Sequence, residues 1–345
     1  MERIVMQRRR PSREILTGES ADVYFARADE ILSKEGLDPF VAMEVFSRQG
    51  GILCGVDEAK VLLAHVLGDA PPDEAIVEAL SDGDQFSAKE VVLRIRARYR
   101  AFGLYETAIL GMMAQSTGWT TAARECVEAA APEPVISFGA RHVHPEITDA
   151  LDYAAIVGGC VGASTPAGAR LASLSPTGTM PHSLVLIFGD TVRAAEAFDR
   201  HLDETVPRIV LVDTFRDEAE ESLRVARALG DRLYGVRLDT PAERGRVTPD
   251  LVLEVRARLD QAGFGHVRII VSGGLNPDRI RIFKEAGAPV DSFAVGSHIS
   301  GATPIDFTGD LKEIDGQPIA KRGRIPGITV NTRLQRVDLS AWLAS

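Results

Sequence analysis

The sequence predicts an α/β fold: a (β/α) barrel, complete or not, joined to an N-terminal α+β domain to which the C-terminal segment returns. Three observations point there. Residues from about 135 to 300 repeat one unit, a short apolar strand, a polar or glycine-rich turn and an amphipathic helix. Residues 1–120 lack that unit and read as strand and helix of a different arrangement. Residues after about 305 are rich in Gly, Pro and charge and lack the repeating unit. The division expected is 1–120 for the N-terminal α+β domain with its helical lead-in, 121–305 for the barrel, and 306–345 for the returning segment.

In the first part, Leu93, Ile95 and Ala97 alternate with Arg94, Arg96 and Arg98, as in a strand with one face buried and one wet. Gly103–Ala131 is Ala-rich and reads as helices interrupted near Ser116–Trp119. In the second part the expected strands are Pro134–Phe138, Ile156–Gly162, His182–Phe188, Arg208–Val212, Leu233–Leu238, Val267–Val271 and Ser292–Val295. Runs such as IVLV at 209–212 and RIIV at 268–271 suit parallel strands buried on both faces. Helices between them are punctuated. Thr248 caps a helix with Pro249 at its first position, Leu251, Val255 and Leu259 on one face, and Gly263 at its end. Asn276-Pro277 repeats that start, with Ile280 and Phe283 inward and Gly287 at the stop. Ala219, Leu223, Ala226 and Leu229 form another stripe, closed by Gly230. About seven such units favour a barrel over an open doubly wound sheet.

Composition narrows the function classes. The chain has 345 residues, 45% hydrophobic and 26% charged, enough for a stable core. A formal net charge of −10 removes the basic field that grips nucleic acid, so no nucleic-acid partner is expected. Cys54, Cys126 and Cys160 are scattered and form no C-x-x-C pair, so neither a disulfide framework nor a cysteine zinc site is expected. The N-terminal MERIVMQRRRPSRE is basic with no apolar run behind it, unlike a signal peptide. No window nears the roughly 20 apolar residues of a membrane span, and a cytoplasmic location is expected.

In a barrel, chemistry sits where strands end and loops begin. The first such end is FGARHVHP, with Phe138, Arg141, His142 and His144. GGCVGASTP follows the second, and SPTGTMPHS, with Thr179 and His182, precedes the third. The fourth gives Asp213 and Thr214, the fifth Arg237 and Asp239, the sixth SGGL from Ser272, and the seventh Gly296 and Ser297. Glycine lets the backbone approach an anion, so SGG and VGS read as a phosphate cradle or as plain tight turns. Arg141 and Arg237 could clamp carboxylate or phosphate, or form surface ion pairs. Asp213 and Asp239 suit ribose hydroxyls or a magnesium ion brought by pyrophosphate, while Asp213 could equally cap a helix. His182 is a nucleophile candidate or a structural histidine.

Taken together, LTGESADVYFAR at 16–27, YETAILGMMAQSTGWTTAARE at 105–125, ISFGARHVHP, GGCVGAST, PTGTMPHSL, LVDTF, GVRLDTP, VSGGL and AVGSHIS resemble the compact nicotinate phosphoribosyltransferases of archaea and some bacteria. The resemblance implies an irregular, incomplete α/β barrel whose site is covered by the first domain of a neighbouring subunit, hence a homodimer or larger homo-oligomer. It implies transfer of phosphoribosyl from phosphoribosyl pyrophosphate to nicotinate, with magnesium, and with ATP hydrolysis through a phosphorylated histidine, here His182. Phe138 would stack on the pyridine ring and Tyr24 of the other subunit on its opposite face. Arg141 would pair with the carboxylate side of the base or with nearby phosphate. Arg237, Asp213 and Asp239 would hold ribose and the magnesium-bound phosphates. Gly273, Gly274, Gly296 and Ser297 would bind the 5′-phosphate, with Thr179, Thr214 and Ser272 completing the substrate set and Lys321 and Arg324 adding a basic stretch. Some relatives hold zinc on C-terminal cysteines; here the last cysteine is Cys160, so no zinc is expected. The alternatives are a quinolinate or nicotinamide phosphoribosyltransferase, or a barrel that binds phosphorylated ligands without turnover.

Overall fold

The computed structural model describes residues 9–343. The basic N-terminal stretch singled out above lies in part, at 1–8, outside the described residues. The strands run in chain order as β1 (Phe40–Ser47), β2 (Gly51–Ile52), β3 (Ala75–Ala79), β4 (Gln85–Phe86), β5 (Val91–Arg98), β6 (Val135–Ser137), β7 (Arg208–Leu211), β8 (Leu233–Leu238), β9 (Arg268–Val271), β10 (Ser292–Val295), β11 (Phe307–Ile314), β12 (Gln317–Pro318) and β13 (Gln335–Arg336). They fall into two compact units. One takes the chain up to Thr121, Arg170–Ser173 and the residues from Ala302 onward; the other takes Ala122–Ala169 and Leu174–Gly301.

The first unit is built on an antiparallel sheet of order β12-β11-β1-β5-β3-β13, so the C-terminal segment does return to the N-terminal domain. Val45, Leu62, Leu63, Val77, Leu93 and Ile95 are fully enclosed in its core. The alternation of β5 is real, but its arginine face is wet only toward the end: Arg98 is exposed, Arg96 half-buried and Arg94 buried. Register sets Arg94 opposite Glu44 on one neighbour and Glu78 on the other, and it pairs with them at 2.9 and 3.0 Å while only 6% exposed. Cross-strand acids on both sides make burial of that guanidinium tolerable. The helix Glu106–Ala130 runs unbroken through Ser116–Trp119, where an interruption was expected. Its hydroxyls are occupied: Thr117 Oγ1 accepts from the Cys54 N–H and donates to the Cys54 carbonyl, both at 3.1 Å.

The second unit is an open five-stranded parallel sheet of order β6-β10-β9-β8-β7. It is an α/β arrangement with a parallel sheet, incomplete as a barrel. β7 and β10 are buried along their whole length, as their continuous apolar runs predict. The helices Glu218–Leu229, Pro249–Gln261 and Pro277–Glu285 begin at Asp217, Thr248 and Asn276 caps whose side chains accept from backbone N–H groups.

Two expected strands are corrected. His182–Phe188 is a helix entered from Pro181 and closed by Gly189 at φ 69. It leaves Leu186 58% and Ile187 81% exposed, unlike a strand buried on two faces. A short apolar run has no period that separates helix from strand. Ile156–Gly162 is likewise the end of the helix Thr148–Val157 and a glycine turn, and only Gly162 bridges to Ile136 in parallel.

Candidate active site

A cavity of about 690 Å³ opens at the C-terminal ends of the parallel strands, within the second unit. β6 delivers Phe138, whose N–H donates to the Val295 carbonyl at 2.8 Å and whose ring packs on Ile209, Ile270 and Ala294. β8 delivers Arg237. Its guanidinium carbon lies 5.5 Å from the Phe138 ring centroid. Nη1 donates to Thr179 Oγ1 at 2.7 Å and Nη2 to Asp239 Oδ2 at 3.1 Å. Asp239 Oδ1 in turn accepts from Ser272 Oγ at 2.9 Å. Thr179, Arg237, Asp239 and Ser272 thus tie three loops into one hydrogen-bonded wall, and the planar fork of arginine is what allows two partners at once.

After Ser272 the chain turns through Gly273 at φ 92 and Gly274 at φ 65, a left-handed pair open to glycine. A Cβ on Gly273 would stand 3.1 Å from Asp239 Oδ1, so the turn hugs the carboxylate. Gly296 is pressed similarly: a Cβ there would stand 3.1 Å from the Phe138 carbonyl oxygen and from His142 Cε1. His142 is itself held by Ser300 Oγ at 3.1 Å.

His182 opens its helix at the cavity mouth. Its Nε2 meets Asp213 Oδ2 at 3.0 Å, with the carboxylate side chain 1% exposed and the imidazole 39%. The hydrogen bond to Asp213 raises the imidazole pKa above its ordinary value, against the opposing effect of burial. Nδ1 has no side-chain partner among the described residues. Asp213 Oδ1, Thr214 Oγ1 and Arg237 Nε are buried without protein partners. Of these residues Arg237 lines the cavity, and a buried polar atom without a protein partner is open to a water, an ion or a ligand.

Two family models cover nearly all of this architecture. The N-terminal domain of quinolinate phosphoribosyl transferase matches residues 22–117, and the C-terminal domain matches residues 120–310. The chain belongs to the quinolinate phosphoribosyl transferase family. A solved structure of nicotinate-nucleotide pyrophosphorylase from Pyrococcus furiosus is 41% identical, with a TM-score of 0.85 over 95% of this chain and 82% of that one. A nicotinate phosphoribosyltransferase of Mycobacterium tuberculosis is 30% identical over 255 residues, 71% of this chain and 55% of that protein. The chain thus spans about half the length of the nicotinate enzymes it matches. A probable carboxylating nicotinate-nucleotide pyrophosphorylase of Methanothermobacter thermautotrophicus is 22% identical over 79% of this chain and 88% of that one. The resemblance read from the motifs named nicotinate phosphoribosyltransferases; the family models carry the quinolinate name, and the nicotinate enzymes enter as relatives at the lower identity.

In this chain the cavity gathers Phe138, Arg141, Thr179, His182, Arg237, Asp239, Ser272, Gly273, Gly274, Gly296 and Ser297. Asp213 joins through His182, and Thr214 is buried beside it. Three expected residues do not line it and belong to the first unit. Tyr24 is 58% exposed and donates to Asp22 at 3.2 Å, Lys321 is exposed, and Arg324 pairs with Asp310 at 2.9 Å. The sequence reading left Ser164, Thr165, Thr177 and Gly178 out of the site, although all four line the cavity. The signal was available in GASTP and SPTGT, which lie within the GGCVGASTP and SPTGTMPHS motifs already singled out. Among the described residues no group of three His, Cys, Asp or Glu side chains could hold a metal ion, and no helix is long and apolar enough to cross a membrane.

Proposed function

We propose that the protein transfers a phosphoribosyl group from phosphoribosyl pyrophosphate to the ring nitrogen of a pyridine carboxylate, releasing pyrophosphate. The observation that carries this reading is the Thr179–Arg237–Asp239–Ser272 wall facing the Gly273–Gly274 turn, in a chain matched by both phosphoribosyl transferase domains. The nitrogen–C1 bond forms as the C1–oxygen bond to pyrophosphate breaks. The pyridine lone pair is the nucleophile, so no protein base has to create one. Phe138 offers a face for the ring, and Arg237, held over it, adds positive charge where the leaving group gathers negative charge. Asp239, in the cavity wall, and Asp213, with its open buried oxygen, are the hard donors suited to a magnesium ion carried by the phosphates. Such an ion would supply positive charge to the departing pyrophosphate.

Different observations support two bases. Quinolinate has the broader support, from both family models and from the solved relative at 41% identity. A carboxylating pyrophosphorylase run in reverse transfers phosphoribosyl to a pyridine dicarboxylate and releases CO₂, the carbanion taking a proton. Nicotinate is supported by the curated relatives near 30% identity and by the economy of cations. Of the two cavity arginines, Arg237 is committed to Thr179 and Asp239, which leaves Arg141 for one carboxylate. His182, with Nδ1 open and Nε2 on Asp213, supports ATP-coupled turnover through phosphorylation at Nδ1. A homodimer is part of this reading. The helix Val23–Lys34 buries none of its residues and exposes Val23, Tyr24 and Ile31 by more than half, the surface a second copy would cover. Assays of the purified protein with phosphoribosyl pyrophosphate and quinolinate, nicotinate or nicotinamide, with and without ATP, test it. CO₂ release with quinolinate selects the first base; ATP-stimulated nicotinate turnover selects the second; no pyrophosphate from any base refutes the reaction.

A further inference from the structure

Asp152, on the helix Thr148–Val157, is a fully buried acid that the transfer chemistry above leaves unused. Among the described residues no cation pairs with it. Its partners lie on one loop. Oδ2 accepts from the Thr165 N–H at 3.0 Å and from Thr165 Oγ1 at 2.7 Å. Thr165 Oγ1 accepts in turn from the Gly168 N–H at 3.0 Å, in the first turn of the helix Pro166–Leu171. Both capacities of that hydroxyl are therefore spent. Gly168 permits the close approach, because a Cβ there would overlap Asp152 Cβ. Asp152 Oδ1 is buried without a partner. Burial raises the carboxyl above its ordinary range, against the hydrogen bonds from Thr165 and the Ser164 backbone.

A buried carboxyl with one oxygen unsatisfied is costly. Capping the helix Pro166–Leu171 does not require it, since Thr165 caps that turn with its own hydroxyl. What the acid secures is the loop itself, and the loop is cavity wall: Ser164 and Thr165 both line it. Just ahead of them Gly162 bridges Ile136 in parallel and accepts from the Ser137 N–H at 3.2 Å. The two chains thus leave the sheet side by side, one toward Ser164 and the other toward Phe138. The sheet order puts them at the β6 edge, with β10 between β6 and the strand that leads into the Gly273–Gly274 turn.

We propose that Asp152 is a positioning residue of the transferase site: through Thr165 it holds the Ser164–Thr165 loop as a side wall of the space at the Phe138 ring, where the pyridine base binds. This rests on the transferase reading. Asp152 touches no substrate and acts only through the loop. Its effect falls on the base, because the loop stands at the β6 edge beside Phe138. The phosphoribosyl donor, in the same reading, is held by residues that follow β8 and β9. A loop displaced by a fraction of its own hydrogen-bond length alters the ring site and leaves those residues in place.

The test compares wild type with Asp152→Ala, which removes the acceptor, and with Asp152→Asn, which keeps an acceptor oxygen for Thr165 and loses the charge. The alanine variant should raise KM for the pyridine base by roughly tenfold, with KM for phosphoribosyl pyrophosphate unchanged, and the asparagine variant should restore most of the loss. Thr165→Val should raise the base KM in the same way. Combined with Asp152→Ala it should add little, because both break one connection. Equal rises in the two KM values would mark a merely structural role and overturn the assignment, as would an unmoved base KM or no rescue by asparagine. If Asp152→Ala does not fold, Thr165→Val carries the test: a rise in the base KM alone upholds the proposal, and none refutes it. If wild type transfers to no pyridine base, the transferase reading fails separately. Hydrogen exchange of the Thr165 amide then decides the positioning: exchange faster in Asp152→Ala and near wild type in Asp152→Asn upholds it, while exchange unchanged in Asp152→Ala refutes it.

Discussion

His182 and Asp213 form a pair whose pH dependence can be read from its sign. The imidazole pKa is raised by its bond to Asp213, so the folded state favours imidazolium. The stability this gives is fully present below the unfolded histidine value of about 6.5 and is lost as pH rises through the higher folded value. Asp213→Asn should therefore return the His182 titration, followed by NMR of the imidazole C–H, toward its ordinary position. An unmoved titration would show that Asp213 does not set it. Glu106 behaves in the opposite sense. Burial first, and Asp310 second, push its carboxyl from 4.5 up to about 7. The folded state then holds a proton that the unfolded chain has released, so stability falls as pH rises from 4.5 through about 7. Glu106→Gln should be more stable than wild type above pH 7, with the gap closing toward pH 4.5. Urea midpoints across that range check it.

The long helix Glu106–Ala130 shows why polar residues inside an element mislead a sequence reading. Ser116 and Thr117 lie where an interruption was expected, and both are buried, as is Thr120 beside them. Thr117 satisfies both backbone groups of Cys54, which sits in the turn ahead of the helix Val56–Leu67. Thr117→Val keeps the shape and the β-branch but leaves that N–H and carbonyl unpaired. A loss of about 1–3 kcal/mol is expected, read as a lower urea midpoint with an unchanged slope. The helices Pro249–Gln261 and Pro277–Glu285 were legible because each writes its own start and stop. Thr248-Pro249 and Asn276-Pro277 cap and fix the first turn, and local hydrogen bonds of that kind need no distant partner. His182–Phe188 has no such internal record, and its helical state depends on where Pro181 and Gly189 deliver it.

Across the whole chain, the segment beyond Ala302 is a structural member of the first unit. β11 lies between β12 and β1, and β13 closes the far edge on β3. The same stretch brings the Thr329 carbonyl to Arg94 and the Thr329 N–H to Glu44. Deleting residues 306–345 would expose the edge of β1 and strip two partners from a buried ion network. The truncated protein should aggregate or lose cooperative unfolding, seen by size-exclusion chromatography and thermal circular dichroism. A monodisperse truncated protein with the wild-type transition would refute this.

The sequence alone determined the α/β class, the parallel strands β7 to β10, the capped helices and the loops that supply most of the cavity wall. Those features rest on local chemistry: uninterrupted apolar runs, caps, and glycines that must turn. Only the tertiary structure decided that five strands, not seven, share the parallel sheet, that Arg94 is buried between Glu44 and Glu78, and that Arg237 bridges Thr179 and Asp239 over the Phe138 ring. It also decided that Arg246, though exposed, sets its guanidinium beside Gly274. In each case the deciding contact joins residues distant in sequence, and the partner that sets a side chain's burial or charge leaves no mark on the residues beside it.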